Sequence, residues 1–331
     1  MLDFKEIIGH ESIIDHLQNA IRQDKVSHAY IFNGESGMGK HLVAKVFAKV
    51  LQCEAKGINP CNVCKSCMQV DSENQPDIIE VTHEKVSIGV DDIRIQVNNS
   101  IQVKPYYSPY KIYIIDDADK MTEQAQNALL KTIEEPPAYA IIILLTDNIN
   151  RLLPTILSRC VQLSFKPVEA KTIKKYLMEQ QQVPEYLAEI SASFSRGNIG
   201  RAIRYATSED FIKSRDTVLH VLEYIDDMEL YEVVEAIKDF AEHKLEIDDY
   251  LDLMLLWYRD VLLFKVTNNP NLLLYKDEYQ YISKQASNRD YENIEEIITA
   301  IDKAKVRMKA NVNFDIAMEL MLLTIKENGN D

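Results

Sequence analysis

The segment from residue 34 to residue 40 has the residue types of a phosphate-binding loop. Gly34, Gly37 and Gly39 fall within six residues, and Lys40 follows at once, although the whole chain holds only nine glycines. In this GxxxxGK pattern, backbone N–H groups at a helix N-terminus surround phosphate oxygens, and the lysine reaches the outer phosphates. A strand-like apolar run precedes the loop and helical apolar spacing follows it. The sequence therefore predicts a P-loop fold here.

Three residues are compared with those that nucleotide hydrolysis requires, and only one of them fits its expected role. The residue after the lysine is normally Ser or Thr, whose hydroxyl binds magnesium, but here it is His41. Asp116 ends a strand-like run and fits a magnesium-binding aspartate, whereas Asp117 stands where a longer glutamate usually positions the attacking water. We expect a degenerate site without intrinsic ATPase activity. Two alternatives remain: His41 can face solvent while water replaces the missing ligand, and the aspartates can cap the next helix.

Four of the five cysteines are close together in the sequence. Cys53, Cys61, Cys64 and Cys67 lie within fifteen residues, and four thiolates suit the tetrahedral geometry of structural zinc. Because no ligand position is left open, the zinc is expected to stabilise the fold, with an apparent binding energy of ~10–16 kcal/mol. An iron–sulfur cluster uses the same ligand type and is the alternative. Cys160 is remote from the group and is expected to be a buried thiol.

The elements that must position these residues alternate between strands and helices up to Pro167. The predicted strands are Ala29–Phe32, Ile78–Val81, Lys111–Ile115 and Ile141–Leu145, and the predicted helices are Ser12–Arg22, Lys40–Leu51, Asp91–Val103 and Thr122–Glu134. Such alternation indicates crossover connections and a parallel sheet covered by helices on both faces. After Pro167 only helical periodicity remains. We therefore expect an α/β region followed by all-helical regions.

Length and charge narrow the possible classes of protein. The 331 residues predict two or three domains, and the net charge of -15 excludes a chain whose whole surface coats nucleic acid. The N-terminus lacks the pattern of a secretory signal. The apolar stretch Tyr250–Val266 contains four charged residues, so it is expected to be a buried helix rather than a membrane span. These features predict a cytoplasmic protein without a membrane partner.

Several motifs of the first 167 residues resemble the clamp-loader branch of the AAA+ ATPases. The motifs are Asp116-Asp117-Ala118-Asp119-Lys120-Met121, Asn127-Ala128-Leu129-Leu130-Lys131, Glu134-Glu135-Pro136-Pro137 and Leu153-Pro154-Thr155-Ile156-Leu157-Ser158-Arg159-Cys160. The C-terminal Asn311-Val312-Asn313 and Ala317-Met318-Glu319-Leu320 are similar to the collar of that family. The resemblance implies an α/β P-loop AAA+ domain at 1–167, with its zinc module at 53–67, a small helical lid domain at 168–207 and an all-α collar domain for oligomerisation at 208–331.

The resemblance also implies a function. In the family, the arginine of the Ser-Arg-Cys motif, here Arg159, projects toward the nucleotide of a neighbouring subunit, where such a charge is worth ~10³ to 10⁵ in rate. The chain is therefore expected to be a rigid scaffold subunit of the sliding-clamp loader of the DNA polymerase III holoenzyme, a nucleotidyltransferase complex. The alternative is an active ATPase motor subunit of the same loader. The implied partners are other clamp-loader ATPase subunits and a delta-type subunit in a hetero-pentamer, the sliding clamp and primer-template DNA.

The resemblance extends to further site residues. Thr146 or Asn148 is expected to sense the γ-phosphate, and the sequence does not choose between them. Gly200 stands where the second sensing residue, an arginine, is expected. The helix that begins near Asp91 faces DNA in relatives, so Arg94 and Lys104 are candidate phosphate contacts. An equally open alternative is that these two are ordinary solvated charges.

Overall fold

A computed structural model describes residues 2–83, 86–242, 247–310 and 312–329 of the chain. Two compact units are present, Met1–Ile203 and Arg204–Asp331. The finer division into domains at 167/168 and 207/208 stays a prediction. Asn311 of the collar motif lies outside the described residues.

Five parallel strands form the sheet of the first unit in the order β2-β3-β4-β1-β5. The strands are β1 (Ala29–Asn33), β2 (Ile78–Val81), β3 (Lys111–Ile115), β4 (Ala140–Thr146) and β5 (Val161–Ser164). The predicted parallel sheet is confirmed. Asn33 pairs with Thr146, which places the residues after β1 and after β4 at one edge of the sheet, where ligands bind in open α/β folds. The sequence did not predict β5, because this short strand is partly exposed and lacks an apolar run.

Helices cover both faces of the sheet. Those that flank or follow the strands are α1 (Glu11–Arg22), α2 (Lys40–Gln52), α3 (Lys65–Asp71), α4 (Val90–Ile93), α5 (Glu123–Glu134) and α6 (Pro154–Leu157). Successive side chains of a strand point to opposite faces. Accordingly, Phe32 packs in one apolar cluster with Leu17 and Phe47, whereas Ile31 packs in the other with Leu129. The central strands are therefore buried on both sides.

The predicted helix over residues 91–103 is shorter and less regular than expected. The α-helix α4 ends at Ile93, and a π-helical turn continues from Arg94 to Asn98. The N–H of Asn99 donates to the carbonyl of Arg94 at 2.9 Å, which is the i→i+5 bond of this wider turn. Val97 and Ile101 remain fully or almost fully buried, and this apolar spacing produced the longer helical prediction.

The remaining elements are helical, as the periodicity predicted. After the sheet, the chain forms α7 (Ala170–Gln180), α8 (Glu185–Phe194), α9 (Ile199–Thr207), α10 (Glu209–Tyr224), α11 (Leu230–Glu242), α12 (Ile247–Thr267), α13 (Tyr279–Asn288), α14 (Tyr291–Lys309) and α15 (Phe314–Glu327).

Helix α12 forms the centre of the C-terminal unit. Its Trp257 is fully buried and donates from Nε1 to Gln285 at 2.9 Å, and the amide of Gln285 donates to the carbonyl of Leu222 at 2.6 Å. Tyr258 and Val261 are also fully buried. The apolar stretch is therefore a core helix. None of the helices in the described ranges is long and apolar enough to cross a membrane.

Candidate functional site

The loop between β1 and α2 has the conformation that its glycines predict. Gly37 and Gly39 have φ angles of 87° and 86°, in the left-handed region that glycine adopts without steric cost. Helix α2 begins at Lys40, immediately after this turn. The predicted order of strand, glycine loop and helix is present, and the free N–H groups of a helix start favour an anion at this point.

Lys40, however, is engaged by the protein itself. Its ammonium group donates to the carbonyls of Gly34 at 2.6 Å and Glu35 at 3.0 Å, and to Asp147 Oδ1 at 2.6 Å. An ammonium has three donors, so these contacts use all of them. The lysine is 7% exposed. Sequence reasoning missed Asp147, although it lies between the two sensor candidates, because no local pattern relates it to the lysine.

His41 points toward the edge strand β2. Its Nε2 lies 3.2 Å from a carboxylate oxygen of Glu80, which also pairs with Lys45 at 2.9 Å. Burial raises the pKa of Glu80, but the hydrogen bond from Lys45 and the adjacent His41 outweigh it and lower that pKa overall. The imidazole is 41% exposed. Its partner is therefore a carboxylate, and it follows Lys40, where the P-loop pattern predicts Ser or Thr.

Within the described part of the chain, the hydrogen bonds and ion pair of the acidic pair after β3 are local. Asp116 is exposed, and its Oδ1 accepts the N–H of Asp117 at 2.9 Å. Asp117 has a φ of 49°, and its carboxylate pairs with Lys120 at 2.6 Å. It precedes a short 3-10 helix but makes no side-chain cap hydrogen bond there. Asp117 therefore does not cap that helix with its carboxylate.

The two sensor candidates have different roles in the structure. The hydroxyl of Thr146, which is 1% exposed, donates to Asp119 Oδ1 at 3.1 Å. Asn148 uses its side-chain oxygen to accept the N–H of Asn150 at 3.1 Å, which caps a 3-10 turn. Asp119 also accepts the N–H of Asp147 at 3.3 Å. The residues after β4 are thus linked to the acidic segment after β3.

Residues of the predicted lid contact the P-loop directly. The N–H of Gly200 donates to the carbonyl of Gly37 at 2.9 Å, and the amide of Asn198 donates to the carbonyl of Ser36 at 2.7 Å. A Cβ on Gly200 would lie 2.8 Å from that Gly37 oxygen. An arginine at position 200 would not fit this contact. Gly200, at the position where the family resemblance predicts a sensing arginine, therefore allows two backbones to touch.

Replacing Gly200 by alanine tests this contact. Because the added Cβ meets the rigid backbone of Gly37 at 2.8–2.9 Å, we expect the variant to be less stable by about 1–3 kcal/mol, as in overpacked sites. Thermal unfolding monitored by circular dichroism measures the change. Gly57→Ala is the matched control, since its Cβ would have no neighbour closer than 3.4 Å. Equal stability of the two variants would contradict a tight contact at Gly200.

Arg159 lies at the protein surface directly after α6. Its Nη1 donates to the carbonyl of Thr155 at 2.9 Å and to the hydroxyl of Ser158 at 3.1 Å, and its Nη2 lies 2.9 Å from a carboxylate oxygen of Glu134. The side chain is 39% exposed. The guanidinium is therefore accessible from outside the subunit and is not part of the core.

The four clustered cysteines converge on one point. Their sulfur atoms all lie within 4.8 Å of one another, and those of Cys61 and Cys67 are 4.0 Å apart. Four thiolates around zinc, with Zn–S bonds of about 2.3 Å, have sulfurs about 3.8 Å apart. These residues, which include Cys53 and Cys64, could therefore bind a metal ion. The predicted grouping is present, and Cys160 is not part of it.

Backbone N–H groups stabilise negative charge in this cluster. Those of Val63 and Cys64 lower the pKa of Cys61 to about 6. Burial raises the pKa of Cys53 and Cys67. A divalent cation held by the four sulfurs would offset this cost, because the thiolate is the form that ligates.

A buried lysine attaches the cysteine module to α2. Lys49 is fully buried and donates to Asp71 at 2.8 Å, to Asn62 at 2.7 Å and to the carbonyl of Leu2 at 3.1 Å. All three donors of its ammonium are used. A buried charge is tolerated only when it is paired in this way. The cysteine module is thus fixed to the helix that begins at the P-loop. Cys160, predicted to be a buried thiol, is only partly buried, and this burial raises its pKa to about 12.

The two candidate DNA contacts are exposed. Arg94 is 62% exposed and lies 3.8 Å from Asp91. Lys104 is exposed on the loop before β3. The structure places both on the surface of the first unit, and their contact with DNA stays a prediction.

Comparison with known proteins identifies related chains. The family model described as DNA polymerase III, delta subunit, matches residues 9–169. The chain is similar to DNA polymerase III subunit delta-prime of Bacillus subtilis (strain 168), with 33% identity over 314 residues and coverage of 94% of each chain. It is also similar to subunit tau of that organism, with 30% identity over 355 residues. That match covers 99% of this chain and 63% of subunit tau.

A solved structure has a related fold. The gamma subunit-related protein of Thermotoga maritima is 20% identical, covers 96% of this chain and 99% of that chain, and superposes with a TM-score of 0.50. This likeness agrees with the AAA+ architecture of the five-stranded sheet and its helices. The similarity to subunit delta-prime also extends over 94% of both chains. The chain therefore belongs to the delta-prime subunit family of the bacterial DNA polymerase III clamp loader.

Proposed function

We propose that the chain is a scaffold subunit of the clamp loader whose own nucleotide site is inert and which supplies Arg159 to the ATP of a neighbouring subunit. The observation that carries the proposal is the state of the P-loop. The ammonium of Lys40 donates its three hydrogen bonds to other groups of the chain. The backbone carbonyl of Gly37 accepts a hydrogen bond from the N–H of Gly200. A lysine that must reach the β- and γ-phosphates has to leave these partners first.

The chemistry of Arg159 supports the second half of the proposal. A guanidinium stays protonated in proteins and presents five N–H donors. Two of its hydrogen bonds are made locally, to Thr155 and Ser158, and 39% of the side chain is exposed. This leaves donors that can reach a phosphoryl group outside the chain, where they stabilise the charge that develops in the transition state.

The isolated chain provides the test of an inert site. We expect ATP turnover no higher than the background without protein, and no change in Lys40→Ala, because His41 replaces the magnesium-binding hydroxyl and the lysine is engaged elsewhere. Release of inorganic phosphate measures this, with an intact P-loop ATPase assayed in parallel. Turnover comparable with that enzyme, abolished by Lys40→Ala, would instead establish the rival function of an active ATPase motor subunit.

The cysteine module is proposed to hold structural zinc. Four sulfurs that all lie within 4.8 Å of one another supply the four ligands of a closed tetrahedral site, which leaves no position for a substrate. Zinc, when bound, would cross-link a short segment of the chain. The backbone N–H groups of residues 61, 64 and 67 donate to the cluster sulfurs at 3.3–3.4 Å and orient them.

The proposed partners follow from the family. They are other clamp-loader ATPase subunits and a delta-type subunit in a hetero-pentamer, the sliding clamp, and primer-template DNA held within the complex. With a net charge of -15, the chain alone is expected to bind duplex DNA poorly, since affinity follows the number of neutralised phosphates. Arg94 and Lys104 are the proposed local contacts.

A further inference from the structure

Glu134 lies at an electrostatically unfavourable position. It is the last residue of α5, and Glu135 follows it. The carbonyl groups at a helix C-terminus carry partial negative charge, so carboxylates there are disfavoured and cations are favoured. The guanidinium of Arg159 lies 2.9 Å from the Glu134 carboxylate. The arginine therefore neutralises a site where negative charge accumulates.

The same guanidinium reaches the end of a second helix. Its Nη1 donates to the carbonyl of Thr155 in α6 and to the hydroxyl of Ser158. The two hydrogen bonds use both hydrogens of Nη1. Glu134, from a different helix, contacts Nη2. The plane of the guanidinium is thus held from two sides by elements that are distant in sequence.

Stability alone does not account for this arrangement. Glu134 is 45% exposed and Arg159 is 39% exposed, and ion pairs in water contribute little to folding. A free arginine side chain, by contrast, has large rotamer entropy, which it loses when it binds. Contacts that hold the guanidinium before binding reduce that loss. Their effect is therefore expected on the reaction that Arg159 serves rather than on the fold.

We propose that Glu134 is a positioning residue for Arg159, holding its guanidinium in the orientation from which it meets a neighbouring subunit's phosphoryl group. The inference rests on the proposed trans role of Arg159. Glu134 does not itself contact the nucleotide. It acts by restricting the rotamers of the arginine, together with Thr155 and Ser158.

The test uses the full chain assembled with its clamp-loader partners. Glu134→Ala is expected to lower kcat for ATP hydrolysis at the adjoining site by about 10-fold, with KM unchanged, because misplacement of a catalytic group mainly affects the transition state. Glu134→Gln, which keeps an acceptor, is expected to recover part of the loss. Glu135→Ala, which removes the same charge from the next position, is the matched control and leaves kcat unchanged. Melting temperatures of the free variants verify that each one folds.

The double variant separates the possible outcomes. In the Arg159→Ala background, Glu134→Ala is expected to cause no further loss, since two residues that act as one unit are not additive. Three results for Glu134→Ala would overturn the positioning role: an equal loss of kcat in both backgrounds, an unchanged kcat or a higher kcat. The trans role would still stand in those cases, provided that Arg159→Ala lowers kcat. If Arg159→Ala itself leaves kcat unchanged, the proposed function fails and this inference fails with it.

Discussion

Arg159→Ala, assembled into the complete loader, is expected to lower ATP hydrolysis at the adjoining site by about 10³-fold or more. In the proposed trans role, the guanidinium acts on charge that develops as the phosphoryl group transfers, so its loss is expected to raise the barrier without removing the nucleotide. Steady-state phosphate release by the reassembled complex measures the effect. Arg159→Lys keeps a positive charge but lacks the planar fork, and it is expected to recover only a small part.

Assembly of the complex is expected to survive this substitution. The Arg159 side chain is partly exposed, and among the described residues its hydrogen bonds and ion pair involve Thr155, Ser158 and Glu134. The size-exclusion profile of the variant complex should therefore match that of the unchanged complex. Arg151→Ala removes another exposed arginine nearby and serves as the control for loss of charge. Turnover that is the same in the Arg159 and Arg151 variants would contradict the trans role.

Cys67→Ser is expected to abolish metal binding and unfold the cysteine module. Cys67 is fully buried, and a structural zinc contributes an apparent ~10–16 kcal/mol of binding energy. Elemental analysis of the unchanged chain should find one zinc per molecule. Hydrogen exchange should show lost protection around residues 53–71 in the variant, and a chelator should have the same effect on the unchanged chain.

Cys160→Ser is the matched control for the metal site. This cysteine is partly buried and lies outside the cluster of four sulfurs. Its replacement should leave the zinc content at the value of the unchanged chain. A preparation that contains no metal and still shows full protection of the module would contradict the zinc assignment.

Much of the fold could be predicted because its signals are local. Buried parallel strands appear as short apolar runs, and this pattern correctly placed β1 to β4. Helix α5 begins directly after Thr122, whose hydroxyl accepts the N–H of Ala125 at 3.2 Å, so its start could also be recognised. The strand β5 was missed because only Leu163 of its four residues is buried, which leaves no apolar run to recognise.

The types and grouping of the site residues were determined by the sequence itself. A glycine-rich loop followed by lysine, a histidine in place of a hydroxyl, four cysteines within fifteen residues and an arginine between serine and cysteine can all be recognised without coordinates. Each of these patterns depends on residues close together in the chain. The backbone geometry of a turn or a metal knuckle is a local property, so short sequence spacing is enough to predict it.

Only the tertiary structure decided which groups these residues contact. Asp147 is 107 residues from the lysine that it binds, Gly200 touches a loop more than 160 residues earlier, and Glu134 meets the arginine that follows another helix. Asp147 meets the lysine because β4 and β1 are neighbours in the sheet and carry the loops that follow them to one edge, whereas the other two contacts involve helix ends. A spacing pattern cannot encode that proximity, because it results from the packing of the whole unit rather than from any one segment.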